Sequence, residues 1–284
     1  MKPKPECTPC FLRQMAIASR LATHSKTLHG KVQRDSKRLL FKMGDVHNPP
    51  YIATVLFRNA YRLLRTKDPY LPLKDKYNRK VKSLFPFLSK LIENSINPLT
   101  TALKLALAGN IIDFGILERF SLSKTLEQTL VLRIPDIKIA EIRRRIVKAA
   151  DILFIADNAG EIGFDRFLLE QIKSINPSAR IFLSVKKTPI INDATAKDAR
   201  FFKLQELAKI MDSGDNWIGT HPHLCSFKFR EIFENADFII SKGQANYESL
   251  EELADPRIVF LLKAKCPVVA SNLKVKLNDI VIKL

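Results

Sequence analysis

The sequence lacks several features that would assign it quickly to a class of protein. No stretch of eighteen apolar residues is present, so it offers no transmembrane segment. Its start, MKPKPECTPC, lacks the apolar stretch of a signal peptide. Four cysteines in 284 residues do not make the disulfide framework of a secreted protein. We therefore expect a cytoplasmic protein.

Acidic residues are also scarce, but only in one half of the chain. Residues 1–150 hold 29 Lys or Arg against 11 Asp or Glu, whereas residues 151–284 hold 18 of each. In the first half the basic residues are scattered between apolar ones, which is typical of helices with one solvated face. We therefore favour a solvated face over a nucleic-acid groove, and we find no nucleic-acid recognition signature. An anionic substrate would also favour a positive surface.

The two halves of the chain differ in their hydrophobic pattern, and a hydrophobic fraction of 46% argues against disorder. Residues 1–150 show helical periodicity broken by prolines, which predicts an all-helical N-terminal region packed on the rest. From Asp151 short apolar runs alternate with helical patterns, which predicts an α/β domain with a parallel, doubly wound sheet over residues 151–284. Strands are predicted at 152–156, 180–185, 209–211, 238–241, 258–262 and 280–282. Helices are predicted between them at 161–174, 193–207, 227–234 and 247–253.

Polar side chains follow three of the predicted strands. Asp157 and Asn158 end the first, Asp193 ends the connection after the second, and Lys242 follows the run 238–241. Because the carboxyl ends of parallel strands share one edge, where ligands bind in open α/β sheets, these residues can converge. An alternative for either acid is a helix N-cap, a role that Asp fills well.

The types of these residues point to phosphate chemistry. Two carboxylates and an amide oxygen are hard ligands that suit Mg²⁺ or Mn²⁺ and not a dedicated zinc site. A lysine beside such a metal implies an anion, and helices starting near Gly160 and Asp193 would add positive ends for it. Metal and lysine together would neutralise phosphoryl oxygens.

Six segments together resemble the metal-dependent damage-control phosphatases. They are CTPC at 7–10, ALAGNIIDFG at 106–115, DNAGEIGFD at 157–165, TPIINDAT at 188–195, SKGQANYE at 241–248 and KCPV at 265–268. In its paired cysteines the chain resembles the branch of this family that consists of stand-alone microbial proteins. The resemblance implies a helical region joined to a Rossmann-like α/β/α domain, and hydrolysis of small phosphorylated metabolites, such as sugar phosphates, with a divalent cation. We take Mg, Mn, Co and Ni as the candidate metals.

The resemblance also implies roles for single residues. Asp157, Asn158 and Asp193 would hold the metal and take part in catalysis, and Lys242 would contact the phosphate. The nucleophile would be either a metal-activated water or the carboxylate of Asp157. One departure is the segment 213–220, SGDNWIGT, which lacks a proline that relatives usually carry. This loop is expected to shape the substrate pocket.

Other residues leave alternatives open. Asn110 and Asp113 are predicted to line the substrate pocket, although a glycine-rich turn between helices would also explain them. Glu161 is predicted to contribute to substrate binding from behind the metal ligands, although its place near a helix start needs no function. The pair Cys7-x-x-Cys10 could bind zinc, cycle as a dithiol or be two buried thiols, and the absence of a second CxxC disfavours zinc.

Two rival functions also follow from the sequence. A Rossmann-like sheet could hold S-adenosylmethionine for methyl transfer to protein carboxylates, but the glycine-rich turn that a nucleotide cofactor usually needs is missing after the first strand. A non-enzymatic nucleic-acid-binding protein could use the basic first half.

Overall fold

The structure, a computed structural model, describes residues 1–44, 47–111, 129–214 and 216–284. Before the first strand the described chain is helical, as the sequence predicts. The helices are α1 (Cys7–Ala22), α2 (Lys26–Met43), α3 (Pro49–Leu64), α4 (Leu71–Ser83), α5 (Phe85–Glu93), α6 (Pro98–Ile111) and α7 (Asp136–Lys148). Every helix within these ranges is too short or too polar to span a bilayer.

Local signals explain where several of these helices begin. The side-chain oxygen of Asn48 accepts the N–H of Tyr51 at 3.0 Å, and Pro49 and Pro50 follow in the first turn of α3. A proline is tolerated there because the first N–H groups of a helix have no partner within the helix. Ser25 caps α2 in the same way, through the N–H of Leu28 at 3.3 Å. The prolines predicted as breaks therefore begin new helices.

The second half of the chain forms one sheet of six strands, and all six lie where the sequence predicts them. They are β1 (Asp151–Ile155), β2 (Arg180–Val185), β3 (Lys209–Asp212), β4 (Phe238–Lys242), β5 (Ile258–Lys263) and β6 (Ile280–Lys283). The order is β3-β2-β1-β4-β5-β6, and every pairing is parallel except that of β5 with β6. The predicted α/β class with a mainly parallel sheet is confirmed.

Two hydrophobic cores cover the two faces of this sheet. On β1, Ile152 and Phe154 point into the first core, which also holds the apolar faces of α4 to α7 and of α8 (Glu161–Ile175). Leu153 and Ile155 point into the second, against α10 (Phe227–Asn235), α11 (Gln244–Leu250) and α12 (Pro267–Leu273). Burial on both faces explains the continuous apolar run of β1.

A third core places α1, α2 and α3 beside the edge where ligands are expected. It joins residues of these helices, such as Met15 and Leu56, to Ile190 and Ile218. Ile190 lies in the connection that leaves β2 and Ile218 in the connection that leaves β3. The first three helices therefore stand over the carboxyl ends of the strands. The division into domains at residue 150 stays a prediction.

One helix predicted at the site is shorter than expected. The segment 193–207 was predicted as helical throughout, but α9 is confined to Ala196–Phe201 and is followed by a 3₁₀ turn at Leu204–Glu206. Its N-cap is Thr195, whose N–H is accepted by the Asp198 carboxylate at 2.8 Å. Asp193 is therefore not the cap, because the chain at that point pairs with the end of β1 instead of turning into a helix. The helix predicted at 247–253 begins earlier, at Gln244.

Candidate active site

The site is built at the carboxyl edge of the sheet, where β1 lies between β2 and β4. The connection that leaves β1 leads through α8 to β2, whereas the connection that leaves β4 leads through α11 to β5, toward the other edge of the sheet. This is therefore the switch point where open α/β sheets bind ligands. Asp157 and Asn158 leave β1 directly into it. The turn that follows is closed by Gly160, whose φ is +75° and which precedes α8 as its N-cap. Asp157 is therefore not the N-cap of this helix.

A backbone pairing brings Asp193 to Asn158 and Asp157. Asn158 and Asp193 form an isolated antiparallel bridge. The N–H of Ala194 donates to the carbonyl of Asp157 at 2.8 Å, and the N–H of Ala159 donates to the carbonyl of Asn192 at 2.9 Å. The three predicted metal ligands are thus held side by side by main-chain bonds. All three line one cleft of about 920 Å³.

Gly243 allows the end of β4 to approach this group closely. Its φ is +82° and its ψ is 165°, a backbone region that is essentially restricted to glycine. A Cβ atom at this position would fall on the side-chain carboxylate of Asp157. The glycine of the segment SKGQ is therefore needed for both its conformation and its lack of a side chain.

Lys242, the last residue of β4, is fully buried and held by three acceptors. Its Nζ donates to the Ala106 carbonyl at 2.9 Å, to Glu161 Oε1 at 2.7 Å and to Asp165 Oδ1 at 2.5 Å. Both carboxylates are buried as completely as the lysine. An ammonium group has three protons, so each of them is directed to a protein acceptor. The predicted contact of Lys242 with phosphate stays a prediction, and it would require one of these bonds to be exchanged.

Glu161 and Asn110 join this ion pair to the ligand group. Asn110 Nδ2 donates to Asp157 Oδ2 at 3.0 Å and to both oxygens of Glu161 at 3.1 Å. Asn158 Nδ2 donates to the same Asp157 oxygen at 2.7 Å and to Glu161 Oε2 at 3.0 Å. Asn110 is anchored in turn by the N–H of Lys263, which donates to its Oδ1 at 3.0 Å. Asp113 lies outside the described residues, so its predicted place in the pocket stays a prediction.

Two acids of the site, Asp157 and Asp193, carry raised pKa values. Burial is the main cause for Asp157, whose pKa lies well above its ordinary value, and the neighbouring carboxylates of Glu161 and Asp193 raise it further. Burial also raises the pKa of Asp193 to about 6, although Lys186 and Lys74 act against the rise. Buried acids of this kind bind a cation readily, because the cation removes the cost of their charge.

Several basic residues near these acids were not predicted as site residues. Lys186 Nζ lies 3.8 Å from Asp193 Oδ2 and donates to the carbonyl of Gly219. Lys265 lines the cleft, and its charge lowers the pKa of Asp157. Lys186 follows β2 directly, so the strand-end argument that selected Lys242 could also have selected it. Lys265 lies two positions after β5 and is the first residue of the segment KCPV, so the same argument and the family resemblance could also have selected it.

The loop at 213–220 contributes to the cleft through Ile218. The N–H of Ile218 donates to Thr54 Oγ1 at 2.9 Å, and the ring of Trp217 stacks on Tyr51 with centroids 4.6 Å apart. These contacts hold the loop to α3. His221 at its end is buried, with Nε2 3.2 Å from the Ile218 carbonyl, and burial lowers its pKa to about 4.

The donor set suits a hard divalent cation. Asn158 uses its Nδ2 for the bonds to Asp157 and Glu161, which leaves its amide oxygen as the candidate metal ligand. Across the described ranges, no group of three or more His, Cys, Asp or Glu is arranged to hold a metal. The predicted set of Asp157, Asn158 and Asp193 is of another kind, two carboxylates and one amide, which favours Mg²⁺ or Mn²⁺ over zinc.

The fold and the site together define an α/β/α protein with a carboxylate-rich site at the switch point of its sheet. Over residues 4–281 the chain matches the family described as the damage-control phosphatase ARMT1-like domain. The chain therefore belongs to this family, as the sequence motifs predict.

Relatives along nearly the whole chain agree with this assignment. The chain is 36% identical over 279 residues to a damage-control phosphatase of Pyrococcus horikoshii, covering 97% of the chain and 95% of the relative. It is 30% identical over 290 residues to a damage-control phosphatase of Archaeoglobus fulgidus, covering 100% and 99%. The crystal structure of a DUF89 family protein from Pyrococcus horikoshii matches with a TM-score of 0.89 and 34% identity, over 99% of this chain and 98% of that one.

Proposed function

We propose that this protein is a divalent-metal-dependent phosphatase that hydrolyses small phosphorylated metabolites, with sugar phosphates or damaged phosphometabolites as its substrates. The observation that carries the proposal is the backbone pairing that sets Asp157, Asn158 and Asp193 side by side on one cleft. Membership of a phosphatase family supports the reaction class.

In this proposal the three ligands hold the metal, which when bound supplies positive charge for the phosphoryl oxygens. The amides of Asn110 and Asn158 both donate to Asp157 Oδ2, so that this carboxylate is fixed in one orientation. Glu161 accepts from the same two amides and holds them in place. Lys186 and Lys265 lie where they add positive charge beside the ligands. An orientation fixed before substrate binds is what favours transition-state stabilisation.

Two helix N-termini were predicted to bind the anion; one is displaced, and the other has a backbone N–H that is bonded within the protein. The second helix at the site starts at Ala196 and not at Asp193, so its N-terminus is displaced along the chain. The N–H of Gly160, at the start of α8, donates to Asn78 Oδ1 at 2.7 Å. We therefore assign the larger part of phosphate binding to the metal and the lysines.

Hydrolysis of p-nitrophenyl phosphate tests the proposal. We expect activity with at least one of Mg²⁺, Mn²⁺, Co²⁺ and Ni²⁺, and its loss on chelation. Asp157→Asn should abolish it without lowering the melting temperature, because the variant removes a carboxylate whose pKa burial raises. Asp75→Asn, which changes a surface ion pair with Lys197, is the matched control and should keep full activity. A wild type inactive with all four metals, or an active Asp157→Asn variant, would overturn the proposal.

The rival functions are less well supported. Methyl transfer is not favoured, because the relatives that carry a functional name are damage-control phosphatases. Binding of nucleic acid has no observation in its favour beyond the basic first half of the sequence. The cytoplasmic location and the choice among the four metals stay predictions.

A further inference from the structure

The Cys7-x-x-Cys10 pair is the sequence motif that the proposed function leaves unused. Cys7 is the first residue of α1, and Cys10 lies in the same first turn. Both thiols are free and partly exposed. They line the cleft that also contains Asp157 and Asp193, so the motif is part of the wall of the proposed active site.

Helix geometry brings the two thiols within reach of each other. Residues three apart in an α-helix have Cα atoms about 5 Å apart, inside the range of about 4.4 to 6.8 Å that disulfides span. Their Cβ atoms are about 5 to 6 Å apart, whereas a disulfide needs about 3.5 to 4.5 Å. Bond formation would therefore tighten the first turn of α1 by about 1 to 2 Å. A first turn can tighten because its N–H groups are not bound within the helix.

A third cysteine lies on the same cleft but is held differently. Cys266 is the N-cap of α12, and its Sγ accepts the N–H of Val269 at 3.5 Å and the side-chain amide of Gln244 at 3.6 Å. The described residues contain no group of three or more His, Cys, Asp or Glu arranged to hold a metal, so the three thiols are not a preformed zinc site. These contacts favour Cys10 over Cys266 as the partner of Cys7.

The neighbourhood of Cys266 gives the motif a connection to the acids of the site. The amide of Gln244 that donates to Cys266 also donates to Glu248 Oε1 at 2.8 Å, and Gln244 Oε1 accepts the N–H of Lys265 at 2.8 Å. Glu248 contributes to the raised pKa of Cys7, and Lys265 lowers that of Asp157. Glu248, Gln244 and Lys265 thus form a path from the first turn of α1 to the surroundings of Asp157.

We propose that Cys7 and Cys10 form a reversible dithiol–disulfide couple in the cleft wall, oxidised by low-molecular-weight disulfides such as glutathione disulfide, and that the disulfide form has lower phosphatase activity. Formation of the bond does not depend on the proposed function, whereas its effect on activity does. The tightened turn displaces the cleft wall formed by Cys10 and Phe11, which is the reason for the lower activity.

The thiol–disulfide exchange takes place in two steps. Cys10, as thiolate, attacks one sulfur of the oxidant, forms a mixed disulfide and releases one thiolate. Cys7 then loses its proton and attacks the Cys10 sulfur, which forms the Cys7–Cys10 bond and releases the second thiolate. Two protein thiols are oxidised, and one disulfide is reduced to two thiols. Burial raises the pKa of the Cys7 thiol, so that less of it is present as thiolate. Cys7 therefore suits the second step, because an intramolecular attack proceeds with a smaller thiolate fraction than an attack on a free oxidant.

The test equilibrates the full-length protein in glutathione buffers of increasing oxidised fraction. Free thiols are then alkylated, and peptide mass spectrometry locates any disulfide. We expect the wild type to lose two hydrogens from the peptide that holds Cys7 and Cys10, and to regain them with dithiothreitol. Cys7→Ser and Cys10→Ser should each prevent this. Cys266→Ser, which keeps a capping oxygen, and Cys225→Ser, at a buried position in the second core, are the matched controls and should not.

Activity on p-nitrophenyl phosphate is compared between the oxidised and reduced preparations of each protein. We expect kcat/KM to fall on oxidation in the wild type and in the two control variants. The ratio of the two preparations should stay at one in Cys10→Ser, which lacks the attacking thiol, whereas Cys7→Ser should stop at the glutathione mixed disulfide on Cys10. A disulfide that maps to Cys266, or thiols that survive glutathione disulfide in the native protein, would overturn the couple. An unchanged kcat/KM with the bond formed would overturn its effect on the cleft, and a wild type inactive in both states would instead contradict the phosphatase assignment.

Discussion

Replacement of Lys242 by methionine distinguishes a structural counter-ion from a phosphate ligand. The lysine is fully buried and neutralises two buried carboxylates, those of Glu161 and Asp165. Breaking a buried ion pair by removing one partner costs about 3 to 5 kcal/mol, because a charge is left without compensation. For a chain of this length about 2 °C of melting temperature corresponds to 1 kcal/mol, so we expect a fall of about 6 to 10 °C.

Thermal unfolding followed by circular dichroism measures this effect, and Lys197→Met is the matched control. Lys197 pairs with Asp75 at 2.9 Å on the surface and should contribute less than about 1 kcal/mol. The double variant Lys242→Met with Asp165→Asn should recover part of the loss, since it removes one uncompensated carboxylate. If Lys242→Met melts like Lys197→Met and yet loses phosphatase activity, the counter-ion argument is wrong and direct contact with phosphate is the better explanation.

Three further substitutions test other parts of the site. Gly243→Ala places a side chain in a backbone region that costs about 1 to 3 kcal/mol and onto the carboxylate of Asp157, so stability and activity should both fall. Gly30→Ala, in the second turn of α2, should be neutral or stabilising. Asp193→Asn should weaken the binding of a divalent metal in calorimetry, while the metal-free variant melts no lower than the wild type. An unchanged metal affinity would exclude Asp193 from the ligand set. Burial lowers the pKa of His221 from 6.5 to about 4, so the unfolded chain takes up this proton at a higher pH than the folded one. The contribution of neutral His221 to the free energy of unfolding is therefore present above pH 6.5 and should be lost as the pH falls toward 4. In urea unfolding, His221→Asn should flatten this part of the pH dependence.

The strands could be predicted from sequence, and the first pair of proposed ligands could be placed at their edge, because the signals are local. The run from Ile152 to Ala156 is apolar throughout, since both faces of β1 are covered by hydrophobic cores. Asp157 and Asn158 follow it directly, and the switch-point rule then places them at a site. The same rule, together with the resemblance of six short segments to one family, added Asp193 to the proposed ligand set.

What the sequence could not predict depends on contacts between distant residues. Asp193 was assigned to a helix start because an acid before a helical pattern is a common cap, but the chain there bonds to the backbone at Asp157, 36 positions earlier. The acceptors of Lys242 come from α6 and α8, and no local pattern relates them to β4.

Several features that lower the stability of the folded protein lie around Asp157. Burial and two neighbouring carboxylates raise its pKa, Gly243 adopts a conformation restricted to glycine beside it, and Lys242 is buried behind it with two acids. Each of these features costs stability, and a sequence selected for stability alone would replace them by apolar residues. A cation held by Asp157, Asn158 and Asp193 would offset the repulsion between the two ligand carboxylates. A saturating divalent metal should therefore raise the melting temperature of the wild type more than that of Asp157→Asn, which ties the arrangement to metal binding independently of any substrate.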